Sequence, residues 1–151
     1  MMRHFLNIAA ILSATTALAT ATTKGWTTDF EAATARANKE GKSLLVDFTG
    51  SDWCPPCKKL HSEIFSKSSF IKEASKDFIL VEIDFPRKTK ISDELKAKNE
   101  KLAKKYKVRG FPTVLLMDSK GNVFKTTTYQ AGGVKPYLAM IQTSLKAKKF
   151  H

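Results

Sequence analysis

The sequence predicts an α/β domain, a central mixed β-sheet flanked by helices on both faces. Short, nearly continuous apolar runs at Leu44 to Phe48, Phe78 to Ile83 and Val114 to Met117 read as strands buried on both sides. Stretches with helical spacing separate them, the pattern of crossover connections in a layered α/β sheet. After the third run, Asp118-Ser119-Lys120-Gly121 is a hairpin turn, and the chain returns antiparallel over Asn122 to Thr127. At 151 residues the chain has the length for one domain with a real core.

Residues 1–21 read as a secretory signal peptide: Arg3, an apolar stretch from Phe5 to Leu18, then small residues. Ala17-Leu18-Ala19 fits an A-x-A cleavage site, with Ala19-Thr20-Ala21 as the other choice. Asn7, Ser13, Thr15 and Thr16 dilute the stretch, which falls short of the roughly 20 apolar residues of a membrane span, so cleavage is expected rather than an anchor. Residues 22–151 then form a single domain. Its first helix is expected from Asp29 to about Lys39, with Thr28 at the N-cap, Glu31 completing a capping box, and Phe30, Ala33 and Ala37 on one face. Gly41 is placed to end it, and Trp26 is expected to pack in the core.

A helix is expected over Lys58 to Phe65, then a further turn or two capped by Ser66 or Ser68 and carrying Phe70, Ile71 and Ala74. Pro86 ends the second strand, and Arg87 to Lys90 is a basic loop. Ser92 caps a helix to about Lys105, with Leu95, Leu102 and Tyr106 inward. Pro136 sits in the first turn of the last helix, which places Leu138, Ile141 and Leu145 on one face; the tail from Lys146 is expected to fray.

The only two cysteines stand in Trp53-Cys54-Pro55-Pro56-Cys57, between a strand and a helix. At a helix mouth that spacing lets the sulfurs close a small disulfide ring, and the positive end of the helix favours a thiolate on Cys54. Pro55 and Pro56 carry no N–H, so activation is expected to lean on the helix field more than on hydrogen bonds. The other reading of a C-x-x-C pair is half of a metal site; His61 could add a third ligand, but no other Cys exists to complete a four-ligand set. A redox pair with no metal and no cofactor is the expectation. Asp47, a carboxyl within a buried strand, is either a satisfied structural acid or a proton acceptor beneath Cys57.

The formal charge of +12 points to acidic partners, anionic surfaces or a solvated basic surface. The lysines are spread over several segments and an exported protein rarely meets nucleic acid, so no nucleic-acid role is expected.

With Trp-Cys-Pro-Pro-Cys after the first core strand and Gly110-Phe111-Pro112-Thr113 before the third, the chain resembles the thioredoxin superfamily from about Thr28 to Lys146. The run Val46 to Cys54 and the later Ile64-Phe65-Ser66 look like exported thioredoxin-like proteins and the C-terminal periplasmic domain of the disulfide reductase DsbD. The resemblance implies an exposed nucleophile at Cys54, a buried resolving cysteine at Cys57, a cis-proline at Pro112 whose loop helps hold an extended substrate, and an aromatic beside the nucleophile at Trp53. It matches Asp47 to the buried acid of thioredoxin. Two features depart from that pattern: one extra residue separates the acid from Cys54, and Leu80 occupies the position matched to the lysine that faces the acid. The implied protein is a monomeric, periplasmic thiol–disulfide oxidoreductase acting on protein disulfides or dithiols, most simply a reductase or isomerase supplied by a membrane reductase. The alternatives are a disulfide-donating oxidant, and a metal-binding or chaperone module of the same fold.

Overall fold

The computed structural model describes residues 22–148; the expected signal peptide lies outside the described residues. The elements run α1 (Phe30–Glu40), β1 (Ser43–Thr49), α2 (Pro55–Leu60) continued by a π-turn (His61–Phe65), α3 (Ser68–Ala74), β2 (Phe78–Asp84), α4 (Asp93–Lys105), β3 (Thr113–Met117), β4 (Val123–Thr127) and α5 (Val134–Lys148).

The sheet order is β2-β1-β3-β4. β1 runs parallel to β2 and antiparallel to β3, which pairs antiparallel with β4. All seven residues of β1 are buried, as a strand covered on both faces requires. Thr27 pairs with Val81 on the outer side of β2, so the segment before α1 covers that edge.

Strand alternation divides the core into two layers. Leu45, Leu80, Val114 and Leu116 point to the layer packed by Leu60, Ile64, Phe65, Phe70, Tyr137 and Ile141. Leu44, Val46, Phe48, Val81, Ile83 and Leu115 point the other way, against Ala33 and Ala37 of α1. Phe65 is central to the first layer: its ring lies 4.9 Å from Trp26, 5.0 Å from Phe70 and 5.5 Å from Tyr137. The Trp26 indole N–H donates to the Phe65 carbonyl.

Several local expectations are revised. Asp29, not Thr28, caps α1: its carboxylate accepts from the Ala32 amide, while Thr27 Oγ1 accepts from the Asp29 amide. Gly41 ends α1 at φ 66°, the left-handed conformation glycine adopts without strain. α2 begins at Pro55, not Lys58, because both prolines fit the first helical positions where no N–H is needed. Neither Ser66 nor Ser68 caps α3; Lys67 is the flanking residue and makes no side-chain cap. Ser92 caps α4 as expected, accepting from the Leu95 amide. The buried residue of that helix is Asn99, whose amide donates to the Asp84 carbonyl. In α5 the fully buried aromatic is Tyr137, beside Ile141, and the helix continues through Lys146 to Lys148; the rest of the tail expected to fray, residues 149–151, lies outside the described residues.

Candidate active site

The sequence places two cysteines at the start of α2, and the fold joins them. Cys54 is the N-cap and Cys57 lies within the first turn; they form a disulfide with Cα atoms 5.3 Å apart. Cys54 makes no side-chain cap hydrogen bond, in keeping with prolines at the next two positions. The exposed nucleophile implied by the resemblance is not what this oxidised form presents: Cys54 is 3% exposed and Cys57 2%. Two turns on, the Ser66 amide reaches back five residues to the His61 carbonyl, the widened step of the π-turn. Ile64 and Phe65 on that turn are buried in the core, which anchors the far end of the redox helix.

The loop before Cys54 is tied down by the end of the neighbouring strand β2 and the loop that follows it. Ser51 donates to the Asp84 carboxylate through both its amide and its hydroxyl. The Asp52 carboxylate accepts the amides of Arg87, Lys88 and Thr89 at 2.9, 2.7 and 2.8 Å, and these bonds hold its pKa down to about 2. The Trp53 indole N–H donates to the Phe85 carbonyl at 2.8 Å. Gly50 is required beneath the indole, since a Cβ there would stand 2.6 Å from the ring.

Phe111–Pro112 is a cis peptide, and Pro112 is buried. The Phe111 ring meets Trp53 edge-on at 5.9 Å and Phe85 at 5.0 Å. Thr128 Oγ1 donates to the Pro112 carbonyl, and Tyr137, in the core of α5, donates to the Thr128 carbonyl. Trp53, next to Cys54, and Phe111, next to the cis-proline, are thereby brought together, and with Pro112 they are the residues that the resemblance assigns to a substrate loop.

Behind the redox helix lies a cavity of about 450 Å³ whose lining includes Cys57, Lys58, His61, Asp47, Glu82 and Asp84. Asp47 is 5% exposed, and its Oδ1 has no hydrogen-bond partner among the described residues. The parallel register sets Glu82, not Leu80, opposite Asp47. The residue facing the acid is therefore another acid, and Leu80 belongs to the core layer two residues earlier. Burial, then Glu82, then Asp84 push the Asp47 carboxyl well above the usual range. Burial, then Asp84, raise Glu82 to about 7. Two carboxyls of raised proton affinity therefore line the cavity beside Cys57. Sequence reasoning missed Glu82; its alternation with Leu80 along β2 was the available signal, and the register was not. His61 also faces the cavity, but among the described residues no group of three His, Cys, Asp or Glu side chains is arranged to hold a metal ion.

A mixed sheet between two helical layers, a helix-mouth disulfide and a cis-proline loop beside its aromatic neighbour define a thioredoxin-like redox domain. A sequence profile described as a thioredoxin-like domain matches residues 30–139, and the chain belongs to that family. It is 33% identical over 112 residues to the disulfide bond reductase DsbH of Chlamydia pneumoniae, covering 74% of this chain and 68% of that protein. Over 93 residues it is 30% identical to the thiol:disulfide interchange protein DsbD of Pseudoalteromonas atlantica, covering 62% of this chain but only 14% of that protein. Among solved structures, a DsbH oxidoreductase superposes with a TM-score of 0.75 at 29% identity, over 86% of this chain and 93% of that one. The reduced C-terminal domain of Neisseria meningitidis DsbD superposes with a TM-score of 0.60 at 20% identity, over 78% and 98% of the two chains, a likeness of fold.

Proposed function

We propose that this chain is an exported thiol–disulfide oxidoreductase that reduces or isomerises protein disulfides through Cys54 and Cys57. The observation that carries the reading is the Cys54–Cys57 disulfide at the N-terminus of α2, backed by a cavity with two proton-accepting carboxyls. In the reduced protein, the Cys54 thiolate attacks one sulfur of a substrate disulfide; the substrate's other sulfur leaves with the electron pair and takes a proton. Cys57 loses its proton toward Asp47, and its thiolate attacks Cys54 Sγ. The second substrate sulfur leaves as a thiol, and the protein is left with the disulfide seen here. Two electrons have passed to the substrate, and a dithiol donor must return them. Similarity to the reductase DsbH and to part of DsbD supports a dithiol relay fed from a membrane reductase.

Asp47, with Glu82 across the register, is the proton acceptor in this scheme: burial raises the proton affinity of its carboxylate, which makes it a stronger base toward the Cys57 thiol than an ordinary aspartate. Trp53, Phe111 and Pro112 form the substrate edge. Export rests on Arg3, the apolar stretch to Leu18 and the A-x-A sites that follow. No helix among the described residues is long and apolar enough to cross a membrane.

Trapping tests the assignment of the two sulfurs. Cys57→Ala should accumulate mixed disulfides through Cys54 that a strong reductant releases, and Cys54→Ser should accumulate none. Trapping through Cys57 instead would reverse the roles. Direction is read from the reduction potential of the pair: a value near that of thioredoxin, about −270 mV, fits a reductant, while one near about −120 mV would make the protein a disulfide donor.

A further inference from the structure

The side chain that stacks on the aromatic next to the nucleophile is a cation. Arg87 places its guanidinium carbon 3.6 Å from the centre of the Trp53 ring. Both partners of this stack are fixed. The indole is held by its bond to the Phe85 carbonyl and lies directly against Gly50. The backbone of Arg87 and the next two residues is held by the Asp52 carboxylate. Both Asp52 oxygens are occupied by these amides, so that carboxylate serves the backbone of this loop. Among the described residues no carboxylate forms an ion pair with the Arg87 guanidinium, whose residue is exposed. Lys88 and Lys90 beside it are exposed too, and the whole chain is strongly basic.

A guanidinium stacked on a fixed ring keeps its N–H fork in one plane with little left to lose in conformational entropy. That is the form in which arginine grips a carboxylate with two parallel hydrogen bonds. Trp53 immediately precedes Cys54, and its other aromatic neighbour, Phe111, immediately precedes the cis-proline. The fork therefore stands beside the place where a substrate cysteine must come.

Resting on the proposed function, we infer that Arg87, stacked on Trp53 and positioned by Asp52, is a carboxylate-recognition site that selects protein disulfides with an aspartate or glutamate next to the reactive cysteine. Lys88 and Lys90 add attraction without fork geometry, so the charge preference has two parts. The long-range part falls with salt, and the part due to the fork is lost with Arg87 alone.

The test uses the full chain, reduced, with short disulfide-bridged peptides that differ only in Glu, Gln or Lys beside the cysteine. The neutral small reagent 4,4′-dithiodipyridine serves as control. The wild type should turn over the Glu peptide about tenfold faster in kcat/KM than the Gln peptide, as expected of a charge-assisted bidentate contact. Arg87→Gln should bring the ratio to about one and leave the rate with dithiodipyridine unchanged; Arg87→Lys should restore only part of it, because the ammonium lacks the fork. Equal rates on Glu and Gln peptides in the wild type, or an undiminished preference in Arg87→Gln, overturns the inference. If the protein turns over no peptide at all, the reductase reading fails separately. Calorimetric titration of the oxidised protein with Cys→Ser versions of the same peptides then decides the carboxylate site by the same Glu-to-Gln comparison.

Discussion

Replacing Glu82 by Gln should make the protein more stable at alkaline pH and leave it little changed at acid pH. The carboxyl lies on the cavity side of β2, in register with Asp47, and its pKa rises from 4.5 to about 7, chiefly through burial and then through Asp84. A carboxyl that binds its proton more tightly folded than unfolded contributes its stability below the unfolded value, and that stability is lost as pH rises through the folded one. The window is therefore about pH 4.5 to 7. At about 1.4 kcal/mol per pKa unit, the full effect approaches about 3–4 kcal/mol well above pH 7. Gln keeps the shape without the charge and cannot pay this penalty. It also withdraws one of the groups that disfavour the Asp47 carboxylate, which moves Asp47 titration to lower pH. Urea denaturation of the oxidised wild type and Glu82→Gln at pH 5 and pH 8 measures the difference. The gap between the two proteins should widen by about 2–3 kcal/mol over that interval in favour of the variant. A gap that stays constant with pH would mean that Glu82 ionises freely in the folded protein, and the idea of two carboxyls sharing this cavity would fall.

Two further outcomes follow from the same geometry. Asp47→Asn should slow the resolving attack by Cys57 around neutral pH and leave the first attack by Cys54 nearly intact, since only the second thiol borders the carboxyl cavity; stopped-flow resolution of the two steps would expose an equal effect on both, which would reduce Asp47 to a structural acid. Phe65→Ala should cost about 3–5 kcal/mol, because the ring is buried among Trp26, Phe70 and Tyr137 on the turn that anchors the redox helix; a midpoint shift worth under about 1 kcal/mol would show that the layer refills the space.

The features read correctly from the sequence are the ones set by neighbours in the chain. Strand runs are legible because burial on both faces demands consecutive apolar residues, as in Leu44 to Phe48. Ser92 announces α4 because a cap needs only the amide three residues on. The cysteine pair is legible for the same reason, since three residues at a helix start suffice to bring two sulfurs together. Where two local solutions compete, the reading slipped: Thr28 and Asp29 are both good caps, and Thr27 settles the matter by accepting the Asp29 amide.

By itself the sequence determined the layered α/β class, the redox pair and its place at a helix mouth, because each follows from side-chain periodicity or from spacings of a few residues. Only the tertiary structure decided what surrounds that pair. Glu82 stands against Asp47 because the pairing of β1 with β2 has one register among several that the apolar pattern allows, and a slip of two residues would have put Leu80 there instead. Asp52 reaches amides 35 to 37 residues away, and Arg87 lies on Trp53, because the loops after β1 and β2 leave adjacent parallel strands at the same end of the sheet. Parallel neighbours bring distant segments together at their common end, and no local pattern in the chain records which residues will meet there.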